Sequence, residues 1–77
     1  MAGMKYIRFA EAGLVIFESQ IQHAEVRNHF PQDTPVSAGF FNVADADDTE
    51  CYGESVSLNL KADSRDNARL QRCLRGY

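Results

Sequence analysis

The 77-residue chain has no tryptophan, two cysteines, two prolines and two lysines. Each scarcity excludes something. Cys51 and Cys73 allow at most one bridge, so a disulfide-dense secreted scaffold is excluded. Lys5 and Lys61 stand in no glycine-rich phosphate loop, and the sequence contains neither G-x-G-x-x-G nor G-x-S-x-G. Gly53-Glu54-Ser55 is not a nucleophile elbow, because position 57 is serine. The longest early apolar run, Ala12 to Phe17, is interrupted by Gly13 and is too short for a secretory leader or a bilayer span. Alanine at position 2 removes a myristoylation site. The expectation is a cytoplasmic protein with no membrane partner and with reduced, buried thiols.

What is present suits one folded domain spanning residues 1–77. Hydrophobic residues make up 44% and charged residues 25%, a balance that disordered chains lack. A domain this small buries only ~60% of the surface its unfolded chain exposes, so its stability margin is narrow. Self-association is one way to widen that margin, and a homodimer is expected. Met1, Ala2 and Gly3, ahead of Met4, are expected to be a disordered or added leader outside the fold.

Lys5 to Phe9 alternates, with Ile7 and Phe9 on one face and Tyr6 and Arg8 on the other, which predicts a half-buried strand. Glu11-Ala12-Gly13 supplies a turn, and Leu14 to Phe17 a second strand, so the two predict a hairpin. Ser19 to Phe30 reads as helical with two competing capping boxes, Ser19 with Gln22 and Gln22 with Glu25; the second is preferred, because it sets Val26 and Phe30 facing the core, up to Pro31. Pro31 to Pro35 reads as a linker. Val36 to Val43 predicts a third strand and Cys51 to Leu60 a fourth, with Val56, Leu58 and Leu60 on one face and Ser55, Ser57 and Asn59 on the other. Ser64 to Arg75 predicts the last helix, capped by Asp63 or Ser64, with Leu70, Cys73, Leu74 and Tyr77 in one apolar stripe. The fold expected is α+β: a two-layer sandwich in ββαββα order, with both helices on one face of a four-stranded antiparallel sheet. The other sheet face, carrying Ser55, Ser57 and Asn59, is then left bare for docking.

The net charge of -3 hides a polarised chain. Residues 1–30 are neutral. Residues 31–63 hold Asp33, Asp45, Asp47, Asp48, Glu50, Glu54 and Asp63 against Lys61 alone. Residues 64–77 hold Arg65, Arg69, Arg72 and Arg75 against Asp66. Asp45, Asp47, Asp48 and Glu50 begin with calcium-loop spacing, but Thr49 and Glu50 stand where a third ligand and a glycine belong. A solvated loop is the plainer reading, and a docking patch for another protein the functional one. The arginines cluster opposite the apolar stripe of the last helix. They suit either phosphate recognition or the negative end of the helix dipole.

His23 and His29 lie six apart, not at the four-residue spacing that aims two imidazoles at one metal. His23 falls beside Val26 and Phe30 on the helix wheel and reads as a core-edge histidine. No catalytic residue, metal site or cofactor is expected. Phe40 and Phe41 are adjacent on a strand and therefore point to opposite faces, one toward the core and one outward as an interface anchor.

At Ile21 to Val26, Pro35 to Phe40 and Cys51 to Leu58 the chain resembles short uncharacterised proteins of bacteria and their phages or prophages. That resemblance implies a compact accessory protein that binds a host or phage protein, and it transfers no catalytic residue or cofactor. The leading expectation is a non-enzymatic protein-binding protein, with Phe40, Phe41, Asp45, Asp47, Asp48 and Glu50 as contact residues. The second is a nucleic-acid-binding module using Arg65, Arg69 and Arg72 with an exposed aromatic, although the acidic total makes nucleic acid a poor partner. The third is a small enzyme or ligand binder centred on His23 and Cys51.

Overall fold

A computed structural model of the chain describes residues 4–42 and 49–75. β1 (Met4–Phe9) and β2 (Gly13–Glu18) form the expected antiparallel hairpin, with Ile7 opposite Val15 and Phe9 opposite Gly13. Gly13 takes the positive φ, 82°, that the turn demands. α1 (His23–Asn28) begins after Gln22, the expected boundary, but Gln22 makes no side-chain capping bond. Its inward residues are His23 and Val26. β3 (Pro35–Phe41) runs antiparallel to β1, with Ala38 opposite Ile7. The short β4 (Cys51–Tyr52) pairs with the end of β3, giving a four-stranded antiparallel sheet in the order β2-β1-β3-β4. β5 (Glu54–Ser55) and β6 (Leu60–Lys61) form a separate two-stranded hairpin, and α2 (Asp66–Arg75) ends the described chain.

The α+β class and the four-stranded antiparallel sheet are as expected, but the layering differs. Tyr6 and Ile7 are adjacent on β1 and so point to opposite faces. Ile7, Phe9, Phe17 and Ala38 pack with Val26 of α1, whereas Tyr6 and Phe41 pack with Leu70 of α2. The helices therefore pack on opposite faces of the sheet, not on one. The cause is the composition of the strands. Leu14 to Phe17 is apolar without alternation, and such a run needs cover on both sides.

The continuous strand expected from Cys51 to Leu60 is also corrected. It divides at Gly53, which adopts φ 75°, and folds back through a four-residue turn before β6. Asn59 takes φ 55°, a left-handed conformation that asparagine tolerates, and its N–H donates to the Val56 carbonyl at 3.2 Å. The Ser55 hydroxyl accepts from the Leu58 N–H at 3.4 Å. Ser55 is consequently buried and Val56, at the hairpin tip, is 84% exposed, the reverse of the alternation pattern. Ser55, Ser57 and Asn59 do not share a docking face.

The hairpin packs along β3 at Gly39. A Cβ there would lie 2.7 Å from the Tyr52 carbonyl oxygen and 2.8 Å from the Ala62 Cβ, so this crossing requires glycine. At the far end of the sheet the Asp33 carboxylate accepts from the N–H groups of Glu11, Ala12 and Thr34, tying the β1–β2 turn to the linker before β3.

Candidate functional site

On the α1 face, one cross-strand row spans all four strands. Register places Phe17 opposite Lys5, Lys5 opposite Phe40, and Phe40 opposite Tyr52. Side chains on directly opposed residues share a face. The Lys5 ammonium sits 5.8 Å from the Phe40 ring centroid and donates to the Ile21 carbonyl at 3.0 Å. Phe40 and Tyr52 stack at 5.8 Å with 24° between their planes. Phe40 is half-buried, and Tyr52 is 47% exposed. Exposed Glu50 and Glu54 flank Tyr52 in the chain.

Phe40 and Phe41 point to opposite faces as expected, but Phe40 is half-buried on the α1 face against His23 rather than standing on a bare one, and Phe41 points toward α2. Phe41 is wholly buried against Tyr6 and Leu70, so its expected place among the contact residues is corrected. Asp45, Asp47 and Asp48 lie outside the described residues, and Glu50 alone of the acidic group is placed.

His23 lies beneath the row. Its ring meets Phe17 edge-on at 5.4 Å and Phe40 edge-on at 5.7 Å, and Nε2 is 3.0 Å from the Gly39 carbonyl oxygen. Burial pushes its pKa below the ordinary value, and the nearby Lys5 charge acts in the same direction, against the opposing pull of the Gly39 carbonyl. His23 is thus a core histidine that props the aromatic row.

On the α2 face, a buried polar cluster centres on Asp66, in the first turn of α2 and 0% exposed. Oδ2 accepts from the Tyr6 hydroxyl at 2.8 Å and from the Ser37 hydroxyl at 2.5 Å, and Oδ1 from Arg8 Nε at 2.7 Å and Arg69 at 3.4 Å. The Tyr6 oxygen also accepts from the Asp63 N–H at 3.3 Å. The Cys51 thiol donates to the Asp63 carbonyl at 3.0 Å, and the Cys51 N–H donates to the Asn67 side chain at 2.8 Å. Burial raises the pKa of Tyr6 and of Cys51, so both stay protonated; an activated thiol needs the opposite shift. The described residues enclose no pocket beside this cluster, and its polar atoms are committed to one another.

The arginines divide. Arg65 forks onto Asp63 at 2.7–3.2 Å, which holds the Asp63 carboxyl down to about 2, and Arg69 reaches Asp66 and the Arg65 carbonyl. The Asp63 carboxylate also accepts the Arg65 N–H at 2.9 Å, in the turn ahead of α2, which starts at Asp66 rather than at the expected Ser64. Arg72 is exposed. Two of the three arginines proposed for phosphate contact are thus engaged by carboxylates. His23 and Cys51 are not brought together. Cys51 lies opposite Phe41 on the α2 face, while His23 contacts Phe40 on the other. Cys51 and Cys73 are both free thiols. Among the described residues no three His, Cys, Asp or Glu side chains gather into a metal-binding group, and no helix is long and apolar enough to cross a membrane.

Sequence reasoning overlooked Lys5, Tyr52 and the Asp66 cluster. The signal for the cluster was the placement of Tyr6 and Arg8 together on one face of β1, polar groups that a covered face must partner. Compared with protein-family models, curated proteins and solved structures, the chain matches none.

Proposed function

We propose that this is a non-enzymatic cytoplasmic accessory protein, of the bacterial and phage type its sequence resembles, that works by binding another protein and does so as a homodimer. One observation carries the reading: the half-exposed Tyr52 ring is stacked on Phe40, with exposed glutamates on either side of it in the chain. Aromatic anchors fixed in advance lose little freedom on binding, and they dominate protein interfaces. The acidic border, extended in sequence by Asp45, Asp47 and Asp48, favours a partner surface rimmed by lysine or arginine. The same border repels a phosphate backbone, and Arg65 and Arg69 are held by Asp63 and Asp66, which weakens the nucleic-acid reading.

The test is affinity capture from bacterial extract with wild type, Tyr52→Ala and the charge reversal Glu50→Lys/Glu54→Lys, read by mass spectrometry. A specific protein retained by wild type is expected to fall at least tenfold with each variant while the melting temperature stays nearly constant. A protein retained equally by all three overturns the reading. So does retardation of labelled RNA or DNA that disappears with Arg72→Ala.

A further inference from the structure

The two edges of the sheet are unlike. At one, β4 is two residues long, and the β5–β6 hairpin lies close against the neighbouring β3. At the other, β2 offers six residues, Gly13-Leu14-Val15-Ile16-Phe17-Glu18, in regular register with β1. Edge strands are ordinarily blunted by lysine, proline, a bulge or a covering segment. β2 contains no lysine or proline, and its only charge is Glu18 at the end. Among the described residues, the one backbone hydrogen bond outside the β1–β2 ladder that reaches β2 is from Ile21 N–H to the Glu18 carbonyl, at 3.1 Å.

The strand is also complementary to itself. Two antiparallel copies related by a two-fold axis through Val15 set Val15 against Val15, Leu14 against Ile16, and Gly13 against Phe17. Each opposed pair lies on the same face, as sheet geometry requires. Gly13 has nothing within 4 Å of where a Cβ would stand, so there is room for an opposing side chain. Beyond the ladder, the exposed Ala12 of the turn comes near Glu18 of the other copy, and no like charges are opposed within the paired strands. A two-fold through Ile16 instead sets Leu14 against Glu18, a poorer match. Both apolar layers continue across this seam, because Val15 belongs to the Ile7 cluster and Leu14 and Ile16 to the Tyr6 cluster.

We infer that β2 is the homodimer interface: two copies pair antiparallel along Gly13–Glu18, centred on Val15, into one eight-stranded sheet with Tyr52 at both outer ends. The inference rests on the dimeric reading above and names its surface and register. The paired strands are short, so the contact is modest and dissociation on dilution is expected.

Sedimentation over a wide concentration range tests it. Wild type is expected to approach twice its 8.6 kDa mass at high concentration. Val15→Lys, which opposes two ammonium groups at the axis, is expected to remain monomeric. Because Val15 is partly buried, Ala12→Glu and Ala12→Lys at the exposed turn serve as the second pair. The first opposes Glu18 of the other copy and is expected to weaken the dimer about three- to tenfold, while the second is expected to tighten it comparably. A monomeric wild type overturns both the dimer and the edge. A dimer indifferent to Val15→Lys and to the Ala12 pair overturns the edge alone. Loss of partner capture by Tyr52→Ala with the dimer intact reports on partner binding separately.

Discussion

The Tyr6 hydroxyl donates to Asp66 Oδ2 at 2.8 Å, joining residues 60 positions apart in the chain. The bond ties the central strand to the helix that closes the structure. Ser37 on β3 shares the same oxygen, and Arg8 binds the other. The same helix is also held by Leu70, packed against Tyr6 and Phe41, and by Asn67, which accepts the Cys51 N–H at 2.8 Å.

Replacing Asp66 therefore unfolds more than a helix end. Asp66→Ala leaves the Tyr6 and Ser37 hydroxyls and the Arg8 guanidinium without their acceptor. Breaking a buried charged pair from one side costs about 3–5 kcal/mol, much of a small domain's stability. Asp66→Asn keeps one oxygen acceptor and is expected to cost less. Urea midpoints of the two variants against wild type check the order, and equal midpoints for Asp66→Ala and wild type contradict it.

Tyr6 makes stability sensitive to alkali. Burial pushes its pKa well above the ordinary 10.0, reinforced by the Asp66 carboxylate and opposed by the Asp63 N–H. A group whose folded pKa is raised stabilises fully below its unfolded pKa, and that contribution drains away as pH rises above it. The melting temperature is thus expected to fall from about pH 10 upward. Tyr6→Phe is expected to be less stable at neutral pH by about 1 kcal/mol and to lose most of the alkaline slope. An unchanged slope would place its origin elsewhere.

Much of this architecture was legible in the residues. Alternation in Lys5 to Phe9, Gly13 after a polar turn, and the Leu70 and Leu74 spacing each specify an element locally. The adjacency of Phe40 and Phe41 fixed which faces they could take, though not that Phe40 would stack on Tyr52. Two features were hidden because they depend on tertiary contact. Ser55 to Leu60 has strand periodicity, but Asn59 turns left-handed, and the chain folds back so that Ala62, just after β6, lies against Gly39. A pair of helices can cover one face or two, and the choice followed from the unbroken apolar run in β2. The exposed Val56 offers a direct check: Val56→Lys is expected to change stability by less than about 0.5 kcal/mol, whereas an inward strand residue would cost several times more.

His23 acts at the acid end. Its folded pKa is lowered by burial, with ordinary value 6.5, so the unfolded chain binds the proton more readily. Stability is therefore complete above about pH 7 and is lost as pH falls through the unfolded pKa toward the folded one. Protonation places a cation between Phe17 and Phe40, close to Lys5. His23→Gln is expected to lower stability at pH 7.5 but to flatten its decline between pH 7 and pH 5. If wild type and variant decline in parallel, the acid sensitivity belongs to the carboxylates instead.

Gly39 is where strand, hairpin and aromatic row meet, and it separates packing from binding. An alanine Cβ would lie 2.7 Å from the Tyr52 carbonyl oxygen and 2.8 Å from the Ala62 Cβ. Neither neighbour is the free end of a flexible chain, so β4 or the segment after β6 must move away from β3. Overpacking of this kind costs about 1–3 kcal/mol. The carbonyl of the same residue lies 3.0 Å from His23 Nε2, so displacement of β3 also disturbs the prop beneath Phe40. Gly39→Ala is therefore expected to lower the denaturation midpoint and to loosen the Phe40–Tyr52 stack, raising Tyr52 exposure. Tyr52→Ala removes the same ring without the clash. Loss of partner capture in both variants, with a large stability loss only in Gly39→Ala, is the outcome expected if the geometry of the aromatic pair rather than overall stability sets binding. Full capture by a destabilised Gly39→Ala protein would mean that the stack need not be rigid.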